Sequence, residues 1–138
     1  MEPIEPIKVL IADDHELTCL GLKILISKQQ NCQVVGIAVN GKQAIALAKS
    51  YQPDVIILDL QMPILNGYSA AIQIKQFAPH IRIIAYSSFE KMQIESNAQT
   101  TPFDLYCAKD ISSQDLIKVI NDLGKLAQLN RPQFTRAG

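Results

Sequence analysis

The chain has 138 residues, with 13 Lys plus Arg set against 13 Asp plus Glu, which is length enough for one domain with a core of its own and no need of disulfides or a structural metal. The zero net charge excludes a broad basic field, so no direct binding of nucleic acid or of an anionic membrane surface is expected from this segment. No apolar run approaches the ~20 residues of a membrane span, and Met1-Glu-Pro-Ile-Glu-Pro6 carries acids and prolines where a secretion signal needs positive charge and an apolar stretch, which predicts a cytoplasmic protein.

In chain order, the first predicted strand is Ile7-Lys-Val-Leu-Ile-Ala12. It ends on Asp13-Asp-His15, and Leu17, Leu20 and Ile24 mark the face of the helix that follows. The second strand is Cys32–Ala38, after which Asn40-Gly-Lys-Gln43 opens a helix with a capping box that has Asn in place of Ser or Thr. The third strand, Asp54–Leu58, runs into Asp59, and Pro63 and Gly67 fix a turn before the third helix. The fourth strand, Ile81–Tyr86, ends at Ser87 and Ser88. Beyond it Phe89, Met92 and Ile94 draw a thin apolar stripe, a weakly anchored fourth helix over Phe89–Asn97. The fifth strand, Phe103–Cys107, leads to Lys109. The last helix is traced by Leu116, Ile120, Leu123 and Ala127, with Ser112 or Ser113 to cap it. Cys19, Cys32 and Cys107 are widely spaced in apolar runs and form no CxxC pair, so buried free thiols in a reducing compartment are expected.

The runs are short, rich in β-branched residues and nearly continuous in apolarity, as suits strands covered on both faces. Their midpoints, near Val9, Val35, Ile57, Ile83 and Leu105, are 22 or 26 residues apart, room for a strand, a helix and two turns. The fold class is therefore α/β, a (βα)5 chain whose right-handed crossovers give a parallel five-stranded sheet between two helical layers, most commonly in the order 2-1-3-4-5. Strands 1 and 3 are then neighbours, and ligands bind at that switch point, outside the carboxyl ends of the strands.

At that edge the topology gathers Asp13 and Asp14 after strand 1, Asp59 after strand 3, Ser87 and Ser88 after strand 4, and Lys109 after strand 5. Each alone has a plainer role: Asp14 or a serine as a helix cap, Asp13 as a turn acid, Lys109 as a solvated side chain, Tyr106 as a strand aromatic. Their coincidence at one edge is what points to a site. Three clustered carboxylates raise their pKa values or recruit a cation, and all-oxygen ligation indicates Mg²⁺, with Mn²⁺ as the alternative. With the ion, the edge holds an acceptor carboxylate, a cation, an ammonium group and a hydroxyl, the parts of phosphoryl transfer to an aspartate. His15, an exposed histidine beside a helix start, reads as a surface residue rather than a ligand, and His80 as a loop residue.

From about Ile7 to Leu129 the sequence resembles the receiver domains of bacterial two-component systems, CheY-like, flavodoxin-like three-layer sandwiches. Val9-Leu-Ile-Ala-Asp-Asp-His15 resembles the family's acidic opening, especially in the NarL/FixJ-type branch whose members often precede a helix-turn-helix domain. Asp59-Leu-Gln-Met-Pro63 with Gly67 is similar to the phosphoacceptor motif, Ala85-Tyr-Ser-Ser88 to the hydroxyl motif, and Tyr106-Cys-Ala-Lys109 to the switch aromatic and the lysine. The resemblance implies that Asp14, Asp59 and the backbone carbonyl of Gln61 hold Mg²⁺, with Asp13 acting through water. It implies that Asp59 takes phosphate from a phosphohistidine on a sensor histidine kinase or phosphotransfer protein, that Ser87 and Lys109 then engage the phosphoryl group, and that Tyr106 rotates inward. The signal would pass through the surface of the fourth helix, fifth strand and fifth helix, which in the family also serves homodimers. Such a chain is a signalling phosphoacceptor, not an enzyme, assisting only its own phosphorylation and dephosphorylation.

Three positions depart from the family's pattern. Thr101-Pro-Phe103 stands where Gly-Ala is common before the fifth strand, Lys109 is followed by Asp110 in place of Pro, and Phe89 puts an apolar group two residues past Ser87, where it would shield an acyl phosphate and slow its loss. The alternative of another class is a phosphorylation-independent interaction module on the same fold, against which the intact acids and Lys109 argue. A flavin-binding domain would need a phosphate-cradling loop where Asp13-Asp-His15 stands, and a haloacid-dehalogenase-like phosphatase would want an acid at Gln61. Residues 1–129 are assigned to the receiver domain. Residues 130–138, composed like a tail or the start of a linker, are too few for a helix-turn-helix, so the output domain or downstream partner is not identified.

Overall fold

The computed structural model describes residues 5–88 and 101–132; the expected fourth helix, with Phe89, Met92 and Ile94, lies outside them. Five strands, Ile7–Ala12 (β1), Cys32–Ala38 (β2), Val55–Leu58 (β3), Arg82–Ser87 (β4) and Leu105–Ala108 (β5), form one parallel sheet in the order β2-β1-β3-β4-β5. This is the topology expected from the 22- and 26-residue spacing. Among the described residues no helix is long and apolar enough to cross a membrane.

Side chains alternate across a strand, and the sheet divides its core accordingly. Leu10, Ala12, Ile56, Leu58, Ile83 and Ala85 face one helical layer, Gly41–Tyr51 (α2) and Gly67–Phe77 (α3), which contributes Ala44, Ala48, Ala71 and Ile74. Ile7, Val9, Ile11, Val55, Ile57 and Ile84 face the other, made by Glu16–Ser27 (α1) and the C-terminal helix Ser113–Asn130, with Cys19, Leu22, Ile26, Leu116 and Ile120. β1 and β3 are buried almost throughout, which is why they read as unbroken apolar runs.

Side-chain caps close the later helices where the sequence offers them, whereas α1 starts from His15 without one and Asp14 is not its cap. Asn40 Oδ1 accepts from Gln43 N–H at 2.8 Å while Gln43 Oε1 accepts from Val39 N–H at 2.9 Å, so the box closes one residue further back than the usual pattern. Asn66 caps α3 and Ser112, rather than Ser113, caps the last helix. The three cysteines are free and buried.

The face expected for α1 is the wrong one. Leu17, Leu20 and Ile24 are exposed, and Cys19, Leu22 and Ile26 pack on the sheet. Both triads have steps of three and then four residues, so spacing alone could not choose between them.

Candidate functional site

Sheet register brings the acids together. Ala12 of β1 lies opposite Leu58 of β3, so the next residues, Asp13 and Asp59, leave the sheet side by side. Asp59 N–H donates to Ala12 O at 2.8 Å and Asp13 N–H to Ala38 O at 2.9 Å; the thiol of Cys19 donates to Asp13 O at 3.1 Å. On the other flank Ser87 pairs with Ala108, and Lys109 N–H donates to Ser87 O at 2.9 Å while Tyr86 Oη donates to Lys109 O at 3.3 Å. The Lys109–Asp110 peptide is trans.

The side chains converge as the sequence anticipated for Asp13, Asp14, Asp59 and Lys109. Asp13 and Asp59 are each only 2% exposed, whereas Asp14 is exposed. Lys109 Nζ lies 3.0 Å from Asp13 Oδ2 and 3.6 Å from Asp59 Oδ2. The Gln61 amide approaches Asp59 Oδ1 at 3.3 Å. Ser87 is buried and Ser88 exposed. Among the described residues, the buried atoms Asp59 Oδ2 and Ser87 Oγ take part in no hydrogen bond.

Burial, then the negative charge of Asp13, push the Asp59 pKa above the ordinary carboxylate value; Lys109, the Gln61 amide and His15 pull it back without cancelling the rise. For Lys109 burial works against the charge, but contact with Asp13 and the charges of both acids outweigh it and raise the pKa. The site thus has more buried negative charge than its lysine compensates. Hard carboxylate oxygens with an unmet buried lone pair are a donor set that fits a divalent cation.

His15 was misread. Its ring is 63% exposed, yet Nδ1 lies 2.8 Å from Asp13 Oδ1, 3.3 Å from Asp14 Oδ1 and 3.7 Å from Asp59 Oδ2. Donor atoms of Asp13, Asp14, His15 and Asp59 all fall within 4.8 Å of one another. Adjacency to Asp13 and Asp14 was the one hint in the sequence, and it does not fix where an exposed ring points.

Tyr106 is half-buried. Its hydroxyl is 2.8 Å from Thr101 Oγ1 and its ring meets Phe103 edge-on at 5.4 Å between centroids. Thr101 also accepts from Phe103 N–H at 3.1 Å, so the unusual Thr101-Pro-Phe103 segment supplies both of these contacts to the tyrosine. Behind Asp59, Gly67 closes the loop: a Cβ there would meet Asp59 O at 2.0 Å. Ile64 in the same loop has φ 70°.

Residues 9–121 match the family model described as the response regulator receiver domain. The chain is 33% identical over 127 residues to the response regulator protein VraR of Staphylococcus aureus, a match that covers 92% of this chain and 61% of that protein, so the chain spans about three fifths of the length of the curated relatives it matches. Among solved structures it is similar to the signal receiver domain of the putative response regulator NarL from Mycobacterium tuberculosis, with 28% identity, a TM-score of 0.79 and coverage of 88% of this chain and 98% of that one. The REC domain of AraT, a response regulator from Geobacillus stearothermophilus, is similar at 29% identity and a TM-score of 0.78, with coverage of 90% and 98%.

Proposed function

Because the chain belongs to the response regulator receiver domain family, we propose that it is a cytoplasmic phosphoacceptor that takes a phosphoryl group onto Asp59 from the phosphohistidine of a sensor histidine kinase or phosphotransfer protein. The observation that carries this is the buried Asp59 carboxylate, whose Oδ2 has no hydrogen bond among the described residues while Lys109 stands 3.6 Å away. Residues 1–129 make the receiver unit in this reading and 130–138 a tail or linker start.

Asp13, Asp14, Asp59 and the Gln61 carbonyl would hold Mg²⁺, which when bound neutralises charge on the phosphoryl oxygens. An Asp59 oxygen attacks phosphorus as the bond to the donor imidazole nitrogen breaks, and the departing imidazole takes up a proton. Close packing of Gly67 on the Asp59 backbone keeps the residue in place, which lowers the entropic part of the barrier. Lys109, charged and partly desolvated, pairs with the new dianion, and the Ser87 hydroxyl donates to another phosphoryl oxygen. Release of Tyr106 from Thr101 and its inward rotation then carry the change to the surface, including β5, where a downstream partner or a second copy docks.

Mass spectrometry after incubation with acetyl phosphate and Mg²⁺ tests the acceptor. The native chain should gain one phosphoryl group and Asp59→Asn none. A gain that persists in the variant rejects Asp59, and no gain in the native chain returns the domain to a phosphorylation-independent interaction module.

A further inference from the structure

We propose that His15 is a nitrogen donor to the divalent ion at this site, so that the seat is not all-oxygen and its preference moves from Mg²⁺ toward borderline ions such as Co²⁺. This rests on the reading of Asp13, Asp14 and Asp59 as an ion seat and adds to it a ligand that sets which ion is held.

Geometry carries the assignment. Around an octahedral ion with bonds of about 2.1 Å, adjacent donors are about 3 Å apart and opposite donors about 4 Å. His15 Nδ1 lies 2.8, 3.3 and 3.7 Å from oxygens of Asp13, Asp14 and Asp59, all within that span. The His15 backbone N–H donates to Asp13 Oδ1 at 2.8 Å, which holds the residue over the acids. A second observation points independently to a ligand: the Asp59 side chain is 3% exposed, and its Oδ2 takes part in no hydrogen bond among the described residues.

Chemistry gives the consequence. With no ion, an imidazole nitrogen among three carboxylates can only donate a proton to them; with an ion, the same nitrogen offers its lone pair. Imidazole binds Co²⁺, Ni²⁺ or Zn²⁺ far better than Mg²⁺, whose affinity comes from oxygen donors. Replacing His15 should therefore weaken borderline ions and leave Mg²⁺ nearly unchanged.

The test uses the full chain and His15→Gln, a change at an exposed ring that leaves the core intact. Pulsed electron paramagnetic resonance on the Mn²⁺-loaded protein should find ¹⁴N coupling from an imidazole in the native chain and lose it in the variant. Calorimetric titrations with Co²⁺ and Mg²⁺ should show the Co²⁺ to Mg²⁺ affinity ratio falling about tenfold or more in the variant. Mn²⁺ bound without nitrogen coupling, an unchanged ratio, or tighter Mg²⁺ in the variant would overturn the role of His15 alone. Failure of the native chain to bind any of the three ions would overturn the ion seat as well.

Discussion

Lys109 Nζ and Asp59 Oδ2 stand 3.6 Å apart, and the same ammonium lies closer, at 3.0 Å, to Asp13 Oδ2. One cation is shared between two buried acids, with Asp13 favoured, and Asp59 remains a strained charge. This predicts that Asp59→Asn stabilises the unphosphorylated chain at neutral pH without divalent ions. The folded pKa of Asp59 lies above its ordinary value of 3.8, so the carboxyl contributes fully below that value and loses its contribution as pH rises through the folded pKa. The gap between variant and native protein should thus be absent at the acid end and open upward. Mg²⁺ should close it by stabilising only the native chain. Urea denaturation across pH in EDTA checks this; a variant less stable than the native protein at pH 7 would defeat it.

Lys109→Gln should have the opposite effect. It leaves Asp13 and Asp59 buried and mutually repelling, at a cost of about 1–3 kcal/mol in EDTA, and Mg²⁺ should recover much of the loss. A cost that Mg²⁺ does not reduce would mean that the acids do not share an ion.

Ile64, in the loop between Asp59 and α3, and Gly67, the first residue of that helix, carry opposite expectations. Ile64 is β-branched, 73% exposed and at φ 70°, a conformation that costs roughly 1–2 kcal/mol for an L-residue. Ile64→Gly should raise stability by about 1 kcal/mol, the relief exceeding the added flexibility of the unfolded chain. Gly67→Ala puts a methyl against the Asp59 carbonyl, at 2.0 Å before relaxation, and should destabilise the fold while slowing phosphorylation by acetyl phosphate. Chemical denaturation of both variants, with phosphorylation kinetics for the second, tests the pair.

The architecture was legible because a doubly covered parallel sheet writes itself as apolar runs, and because ligand sites in such sheets have a fixed edge. Asp13, Asp59, Ser87 and Lys109 follow directly from where strands stop. The α1 face was not legible, since Leu17, Leu20 and Ile24 repeat the spacing of the buried Cys19, Leu22 and Ile26. Nor were His15 and Thr101, whose roles come from one loop's path and one rotamer. Asp54 went unremarked for another reason: its partners are 46 and 77 residues away in sequence.

That residue organises the opposite end of the sheet. Asp54 is 1% exposed, accepts from Lys8 N–H at 2.9 Å and from Arg131 Nη2 at 2.6 Å, and Arg131 also grips Glu5 at 2.9 Å. Arg131→Ala leaves a buried carboxylate short of its cation, and with the arginine partly solvent-screened the loss should be about 1–3 kcal/mol. His80 reports on the same cluster. Burial first, then the charge of Arg131, hold its pKa below 6.5, against a smaller pull from Asp54. A depressed histidine contributes its stability above the unfolded value and loses it as pH falls through the folded one. The native chain should therefore lose stability below pH 6.5, and His80→Gln should flatten that decline. In Arg131→Ala the opposing charge is gone, so the His80 pKa should rise toward 6.5 and the acid sensitivity shrink. Proton NMR titration of the His80 ring in both backgrounds, alongside denaturation at several pH values, measures this directly: a His80 pKa that does not move when Arg131 is removed would leave burial and the lesser charge of Lys75 as the causes.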